Sequence, residues 1–380
     1  MTGRTMALVL NEEQRMLKDA AREFLAANAP VAQLRELRDA RDPLGYRPET
    51  WRAMVELGWS GVLVPEAQGG LDFGHVGMGQ ISEEAGRTLT ASPLFATAVL
   101  GVSALVLAGT EAQRAALLPA IVAGELTLAP AFDEGPRHAP DAVAARLRQS
   151  GAGFVLDGAK AFVPDGHSAD RLLVSARVEG SARLALVLVE RAAPGVSVER
   201  VVMADSRNSA NVRFANVAVA ADAVLGGGED AGAALARLID IGNAHLAAEL
   251  LGLASEVFQR TVEYLNTRKQ FGVLIGSYQG LQHRAAHLYS ELELLKSLVL
   301  KTLQALDAGS DEVPVLASLA KAKAGEVATL ATNEAVQMHG GVGMTDELEI
   351  GFFMKRARVA EQRYGDHRYH LQRYAALCGY

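Results

Sequence analysis

The chain has 380 residues, of which 49% are hydrophobic and 21% charged, a composition typical of a globular protein with two or three packed units. Its formal net charge is -7 and no Lys/Arg-rich run offsets it, which argues against a nucleic-acid partner, because phosphate groups require a positive surface. The single cysteine, Cys378, excludes an internal disulfide, as is usual in a reducing cytoplasm. The longest apolar run, 94–109, falls short of the roughly 20 residues of a spanning helix. We therefore expect a cytoplasmic protein that binds neither nucleic acid nor membrane.

Residues 1–127 are predicted to form a helical domain. Asn11 begins a capping-box pattern, in which an N-cap residue is followed three positions later by Gln. A second helix is predicted from about 48 to 57, where a glycine ends it. The acidic pair at 83–84 is expected to be exposed, and the run 94–109 to be a buried helix or the wall of an apolar pocket.

Residues 128–228 change to short β-branched runs, of which 171–175, 184–189 and 196–199 are typical of strands. Asp157-Gly158 lies between two further runs and predicts a two-residue type I′ hairpin, because Asp-Gly supplies the positive φ angles that this turn needs. Strands at this spacing predict an antiparallel barrel or sandwich of about 100 residues.

Residues 229–380 are predicted to be helical again. Apolar residues from 281 to 306 recur every three or four positions, which predicts one long amphipathic helix. A further helix is predicted from 313 to 339, ended by Gly340-Gly341, and a last one from about Asp346. The predicted fold is therefore α+β, with an N-terminal all-α domain, a middle antiparallel β-barrel or sandwich, and a C-terminal four-helix bundle.

Most short catalytic signatures are absent from the sequence. It contains no G-x-G-x-x-G fingerprint, no Walker A loop and no G-x-S-x-G nucleophile elbow. His283 and His287 lie four positions apart, and His367 and His370 three apart, but neither pair has a Glu or Cys co-ligand nearby. We therefore expect solvated or interface histidines and no metal site.

Two segments of the helical C-terminal part carry more information. The first runs from Tyr264 to Gln282 and contains Arg268-Lys269-Gln270-Phe271-Gly272; the second, 335–347, contains Gln337-Met338-His339-Gly340-Gly341-Val342-Gly343. Here the chain resembles the acyl-CoA dehydrogenase family, whose bundle carries R-x-Q-F-G and later Q-x-x-G-G-x-G. Residues 64–70 and 83–87 resemble the family's helical domain, and 154–163 its β-domain, so that the resemblance covers most of the chain.

The chemistry of these residues is compatible with a dinucleotide. A guanidinium at 268 offers a planar fork for a pyrophosphate, and glycines at 340 and 341 let the backbone approach a phosphate closely. In the family, such residues reach across a subunit interface to the neighbour's FAD. The resemblance therefore implies FAD binding by a set of residues that also includes one on a flavin-facing strand: Arg268, Phe271, Gln279, Gln337, Gly340, Gly341 and Phe162. The alternative is that the arginine caps a helix end and the glycines only terminate one.

The resemblance implies FAD-dependent α,β-dehydrogenation of an acyl-CoA, in which a carboxylate removes the α proton and a hydride passes to the flavin. The sequence departs from the family at the base: Tyr364 stands where a Glu is expected, and Gly242 and Asn243 occupy the other known position. Pro164 replaces a hydroxyl residue on a flavin-facing strand and also lacks an N–H. Under the first hypothesis Asp366, two positions after the tyrosine, is the base and accommodates a bulky, cyclic, steroid-derived or dicarboxylic acyl group.

Three other hypotheses remain at this point. The chain is the non-catalytic subunit of a heteromeric acyl-CoA dehydrogenase, or a relative that acts as a nitroalkane oxidase or flavin monooxygenase, or a flavin-free interaction protein. The expected partners are an acyl-CoA substrate, an acceptor like the electron-transfer flavoprotein, and further subunits in a homo- or heteromeric dimer of dimers. The domain boundaries are predicted at 1–127, 128–228 and 229–380.

Overall fold

The computed structural model describes residues 7–380, which fall into two units. One unit comprises residues 7–36, 75–90 and 243–380, and it is helical. The other comprises residues 37–74 and 91–242 and contains the large sheet. The expected order of helical, β and helical segments along the chain is confirmed.

The N-terminal segment is built from α-helices and one π-helix. They are α1 (Glu12–Asn28), α2 (Val31–Asp39), α3 (Pro48–Glu56), α4 (Gly74–Thr88), the π-helix Leu94–Gly101, α5 (Val102–Ala108) and α6 (Glu111–Val122). The capping box is confirmed: the Asn11 side chain accepts the N–H of Gln14 at 2.7 Å, and the Gln14 side chain accepts the N–H of Asn11 at 3.0 Å. Because these two bonds satisfy N–H groups that have no intrahelical partner, the start of α1 is fixed locally.

The prediction that the acidic pair of α4 is exposed is wrong. Glu83 is 7% exposed and Glu84 1% exposed. Glu83 forms an ion pair with Lys18 at 2.6 Å, and Glu84 accepts two hydrogen bonds of 2.9 and 3.1 Å from the guanidinium of Arg22. Both cations lie on α1, so charge complementarity between the helices outweighs the tendency of carboxylates to stay in water.

The apolar run 94–109 is largely buried up to Leu105, as predicted, but Leu107 is exposed and the first half of the run is a π-helix. Within it, the Thr97 hydroxyl donates to the carbonyl of Leu128 at 3.2 Å and accepts the N–H of the same residue at 3.0 Å. The hydroxyl in the middle of this apolar helix is therefore satisfied by the first strand of the sheet, and the residue can be buried at little cost.

The sheet has seven strands: β1 (Leu128–Ala131), β2 (Arg146–Ser150), β3 (Gly153–Pro164), β4 (Arg171–Val178), β5 (Leu184–Glu190), β6 (Val196–Val202) and β7 (Asn208–Val219). Their order is β1-β4-β2-β3-β7-β6, and β5 pairs with β4. The wholly antiparallel sheet that was expected is corrected to a mixed one, because β1 and β2 both run parallel to β4. The remaining pairings are antiparallel, as predicted.

The predicted hairpin at Asp157-Gly158 is also wrong. Both residues lie inside β3, at a shift in its register with β7. A Cβ at Gly158 would lie 2.7 Å from the backbone of Ala145, so glycine is required for close packing rather than for a turn. The tight turn between β2 and β3 is instead formed at 151–152, where Gly151 has a φ of 60°.

The C-terminal segment consists of α7 (Gly232–Thr267), the short strands β8 (Lys269–Gln270) and β9 (Val273–Leu274), α8 (Gln279–Asp307), α9 (Val313–His339), α10 (Ile350–Gln362) and α11 (His367–Leu377). The apolar stripe of α8 is buried from Leu288 onward, as predicted. The prediction of one last helix is wrong, since the turn 363–366 divides it into α10 and α11. Tyr364 and Gly365 have positive φ angles of 54° and 106° there, which an α-helix cannot accommodate.

None of the helices in residues 7–380 combines the length and the hydropathy of a membrane-spanning segment. In the same part of the chain, no group of three or more His, Cys, Asp or Glu side chains is arranged to hold a metal ion. The expectation of solvated or interface histidines is wrong for His370, which is fully buried and contacts the carbonyl of Tyr364 at 3.0 Å. His367 is half-buried and contacts the carbonyl of Ala322 at 3.0 Å.

Candidate functional site

The two sequence segments that carry the family resemblance lie side by side. The ring of Tyr264, near the end of α7, stacks on that of His339, at the end of α9, with 4.3 Å between ring centroids. The tyrosine hydroxyl also donates to the carbonyl of His339 at 3.4 Å. Arg268 follows one turn after the tyrosine, and its N–H donates to the Tyr264 carbonyl at 2.9 Å. The arginine and the glycine pair that follows His339 are therefore carried on the same end of a helix pair.

The side chains expected to bind the cofactor in this region are all exposed: Arg268, Phe271, Gln279 and Gln337, with the backbone of Gly340 and Gly341. Phe271 is 92% exposed at the tip of the β8–β9 hairpin, where its φ is 55°. An apolar ring so far from any core indicates a surface that binds a ligand or another chain.

The glycine pair after α9 is open to its surroundings. Gly340 has a φ of 66°, which favours glycine and ends the helix. Apart from its neighbours in the chain, a Cβ built at Gly341 would have no atom of residues 7–380 within 4 Å. Packing within residues 7–380 therefore does not explain glycine at 341, whereas close approach of a ligand would.

The turn between α10 and α11 contains Tyr364, which stands where the resemblance leads one to expect a glutamate, and Asp366, the base predicted from the sequence. Tyr364 is fully buried, and its carbonyl accepts hydrogen bonds from Asn243 Nδ2 at 3.4 Å and His370 Nε2 at 3.0 Å. Asp366 is the N-cap of α11, where its Oδ1 accepts the N–H of Tyr369 at 2.8 Å. The carboxylate thus has a structural role in this turn, which sequence reasoning did not anticipate.

Asn243, at the family's other base position, is completely buried on α7. Its Nδ2 contacts the Tyr364 carbonyl, and its Oδ1 has no hydrogen-bond partner among residues 7–380. An amide cannot remove a proton at neutral pH, so Asn243 cannot be the base. Tyr364, at the other position where the resemblance leads one to expect a glutamate, has no carboxylate either.

The flavin-facing strand predicted from the sequence, β3, bulges at Phe162. The register between β3 and β7 shifts between Lys160 and Val163, and Phe162 has a φ of 51°. Its ring is 37% exposed, and its N–H donates to Asn211 Oδ1 at 3.3 Å. Pro164 pairs with Ser209 at the end of the strand and has no N–H to offer a ligand.

A fully buried lysine, which the sequence analysis missed, organises the segment that precedes β2. Lys160 Nζ donates to Glu134 Oε1 at 2.7 Å, Ser175 Oγ at 2.9 Å and the Phe132 carbonyl at 3.1 Å. Burial lowers the pKa of this lysine, and the hydrogen bond that it donates to Glu134 opposes that shift. The glutamate also accepts the backbone N–H groups of residues 144 and 145. The ion pair therefore fastens the segment that connects β1 to β2.

The comparisons with known proteins agree with this architecture. The family model described as acyl-CoA dehydrogenase, N-terminal domain, matches residues 11–125, and the one described as acyl-CoA dehydrogenase, C-terminal domain, matches residues 231–376. The mitochondrial isovaleryl-CoA dehydrogenase of Pongo abelii is 30% identical over 366 residues, which cover 93% of this chain and 85% of that protein. The acyl-CoA dehydrogenase FadE12 of Mycobacterium tuberculosis is 30% identical over 369 residues, covering 93% and 92%.

A solved structure, a variant of the Tcur3481-Tcur3483 steroid ACAD, superposes with a TM-score of 0.88 at 30% identity, covering 97% of this chain and 98% of that one. The two family models match the helical segments that precede and follow the strands in the sequence. The chain therefore belongs to the acyl-CoA dehydrogenase family of flavoprotein oxidoreductases, and it is an enzyme of lipid metabolism whose relatives bind FAD.

Proposed function

We propose that this enzyme catalyses FAD-dependent α,β-dehydrogenation of an acyl-CoA thioester, and that the exposed end of α7 and α9 binds the FAD. The observation that carries the proposal is the stacking of Tyr264 on His339, which brings the two family motifs together at one exposed surface. The residues assigned to the cofactor are Arg268, Phe271, Gln279, Gln337, Gly340 and Gly341, together with Phe162 of β3.

The residues on this surface fit FAD chemically. The exposed guanidinium of Arg268 has the planar donor arrangement that a diphosphate binds, and the open backbone at Gly341 leaves room for a phosphate or nucleoside. Gln337 can both donate to and accept from an adenine or ribose edge. Bound FAD would supply the acceptor for the hydride that leaves the β carbon of the substrate.

A second protomer is part of this proposal. The hairpin that follows Arg268 exposes apolar side chains in succession, including Phe271, Val273, Leu274 and Tyr278. Such a surface is better suited to an interface than to bulk water. We therefore assign these residues to FAD bound by a neighbouring subunit, within a homo- or heteromeric dimer of dimers.

For the base, we propose Asp366 on the α10–α11 turn. One of its oxygens caps α11 through the Tyr369 N–H, so proton abstraction would fall to the other oxygen or would require the cap to open. Because Asp is one methylene shorter than Glu, the backbone must approach the substrate more closely. A bulky or cyclic acyl group is the proposed substrate, and the steroid named for one relative supports this class. The electron acceptor would be of the electron-transfer flavoprotein type.

The Asp366→Asn variant tests the base directly. Asn is an equally good N-cap, so the variant should fold and retain FAD while acyl-CoA no longer bleaches the flavin. The control is Asp346→Asn, an exposed carboxylate of the same unit that lies outside this turn and pairs with Arg35, and it should leave bleaching unchanged. A variant at 366 that bleaches as fast as the unaltered enzyme would show that this carboxylate is not the base.

A second candidate function is the non-catalytic subunit of a heteromeric acyl-CoA dehydrogenase. Three observations favour it: Asp366 caps a helix, Tyr364 and Asn243 stand at the two base positions, and Pro164 lacks an N–H. In this role the chain would contribute its Arg268 surface to FAD bound by a partner subunit, without reacting itself.

Measuring flavin in the purified single chain separates the two functions. The first predicts close to one FAD per chain and bleaching by an acyl-CoA. The second predicts little FAD and no bleaching until a homologous partner subunit is co-expressed. A preparation that contains no FAD under either condition would contradict both.

A further inference from the structure

The turn between α10 and α11 is held by one buried side chain to which the proposed reaction assigns no role. Lys321 lies in the first third of α9 and is 1% exposed. Its Nζ donates to three backbone carbonyls, those of Glu361 at 2.7 Å, Arg363 at 2.9 Å and Gly365 at 2.8 Å. None of these partners is a carboxylate oxygen, so this lysine binds the backbone rather than a counter-ion.

The chemistry of the three partners matches an ammonium group. The Glu361 carbonyl belongs to the last turn of α10, where carbonyls have no intrahelical partner and the helix dipole is negative. An ammonium has three N–H donors, one for each carbonyl. A buried lysine without such partners would be strongly unfavourable, so the position of its Nζ and the path of the backbone around it depend on each other.

The carbonyl of Tyr364, which lies between two of the carbonyls bound by Lys321, accepts from different donors. Tyr364 O accepts from Asn243 Nδ2 and His370 Nε2, whereas the carbonyls on either side of it bind Lys321. This alternation needs left-handed φ angles at Tyr364 and Gly365, and for a tyrosine that conformation is strained. Lys321 is therefore a main source of the energy that holds the strained turn.

We propose that Lys321 is a positioning residue of the acyl-CoA site, which fixes residues 364–366 in the conformation that the reaction requires. The inference rests on the proposed function, because only that function places Tyr364 and Asp366 beside the α carbon of the substrate. Lys321 itself contacts no reacting atom. It acts through the backbone of the turn, and a small displacement of that backbone would move the base out of reach of the α proton.

The test compares Lys321→Met, Lys321→Arg and the control Lys323→Met. Lys323 lies two residues further along α9 and pairs with Glu291 and Glu326, away from the turn. Two quantities are measured: hydrogen–deuterium exchange of peptides covering 361–370, and the rate of flavin reduction per bound FAD at saturating acyl-CoA. Met preserves much of the side-chain length but removes every donor, whereas Arg restores donors with a different geometry.

In Lys321→Met, we expect exchange in 363–370 to accelerate about 10-fold or more, because the turn opens locally. Flavin reduction should slow by about 10- to 100-fold with little change in KM, since substrate binding is not affected but alignment is. Lys321→Arg should recover part of both losses, and Lys323→Met should change neither. If the Met variant does not fold, Lys321→Gln, which keeps one amide donor group, replaces it in the same measurements.

Unchanged exchange in the variants at 321 would overturn the inference. So would faster exchange with an unaltered rate of reduction per bound FAD, because the lysine would then be only structural. If the unaltered chain neither binds FAD nor is reduced by acyl-CoA, the proposed function itself fails, and exchange still decides whether Lys321 fixes the turn.

Discussion

The exposed end of α7 and α9 and the buried turn between α10 and α11 form two contrasting regions of one helical unit. At the first, Arg268, Gln337 and Phe271 extend into solvent and the backbone at Gly341 is open. At the second, the carbonyls of the turn are taken up by Lys321, Asn243 and His370, and Asp366 caps a helix.

The contrast separates two tasks. Groups that bind a ligand or another subunit must remain unengaged within their own chain, and the α7–α9 end has that property. Groups that perform a reaction must be held in one geometry, and the α10–α11 turn is held by hydrogen bonds of the chain itself. The first region carries the two motifs by which the sequence resembles the family, whereas the second holds a tyrosine at 364, where that resemblance leads one to expect a glutamate. The proposed catalytic function is therefore tested at the second region.

The largest effect is expected at Arg268. Arg268→Ala should weaken FAD retention about 100-fold, because two hydrogen bonds to a charged phosphate, at roughly 1.5 kcal/mol or more each, are lost. Arg268→Lys should recover only part of the affinity, because a lysine cannot form the planar fork. The neighbouring Lys269→Ala is the control. The FAD content of each variant is measured by absorbance after dialysis. An equal loss of FAD in Lys269→Ala would show that Arg268 has no specific role in binding FAD.

The next effect is a pH dependence of the unfolding free energy, which arises from Lys321 at the buried turn. Burial lowers the pKa of Lys321 from 10.5 to about 7, whereas its three carbonyl acceptors favour the protonated form. The unfolded chain therefore binds one more proton than the folded chain between pH 7 and 10.5, and stability rises with pH across that window. This contribution is complete above pH 10.5 and is lost as the pH falls through 7. Relative to Lys321→Met, the unfolding free energy should increase by up to about 1.4 kcal/mol per pH unit.

Urea denaturation of both proteins at several pH values between 6 and 10 measures this difference. Parallel pH profiles would mean that the lysine keeps its proton throughout, as it would if the three carbonyls outweighed burial.

A smaller effect is expected at Asp366. Asp366→Ala should destabilise the fold by about 1 kcal/mol through loss of the helix cap, whereas Asp366→Asn should leave stability nearly unchanged. Thermal unfolding of the two variants measures the difference. Equal destabilisation by both substitutions would show that the negative charge matters more here than the hydrogen bond to Tyr369.

The smallest effect is expected at Gln337, which is exposed and uncharged. Gln337→Ala should reduce FAD affinity by only about 3- to 10-fold, since a neutral hydrogen bond contributes roughly 1 kcal/mol. Isothermal titration of the apoprotein with FAD would resolve this change. A loss as large as that of Arg268→Ala would mean that the glutamine, and not the arginine, dominates binding at this end of the helices.

The parts of the fold that local patterns determine were predictable. The stripe that begins at Leu288 on α8, the capping box at Asn11 and the glycine stop at Gly340 each depend on residues within a few positions of one another. The order of helical and β segments follows from the same periodicities.

The parts that failed depend on partners distant in the chain. Glu84 is buried because Arg22, 62 positions away, lies opposite it. Asp157-Gly158 carries a turn signal, yet the pairing of β3 with β7 on either side of it continues the strand through an irregularity in register. At the site, the motif residues near Arg268 were identifiable from their types and their order in the sequence. Lys321 was not, because its three partners are backbone carbonyls 40 to 44 positions away, and a backbone carbonyl does not depend on which side chain its residue carries.

The π-helix at Leu94–Gly101 has a consequence for how this region tolerates length changes. Each of its turns contains about one residue more than an α-helical turn, so the stretch behaves as an insertion absorbed without a loop. We expect that removing one residue between 94 and 101 would convert part of this stretch to α-helix, while the flanking segments would keep their rotational orientation about the helix axis. We therefore expect this helix to tolerate loss of one residue with less disturbance than the burial of seven of its eight residues suggests.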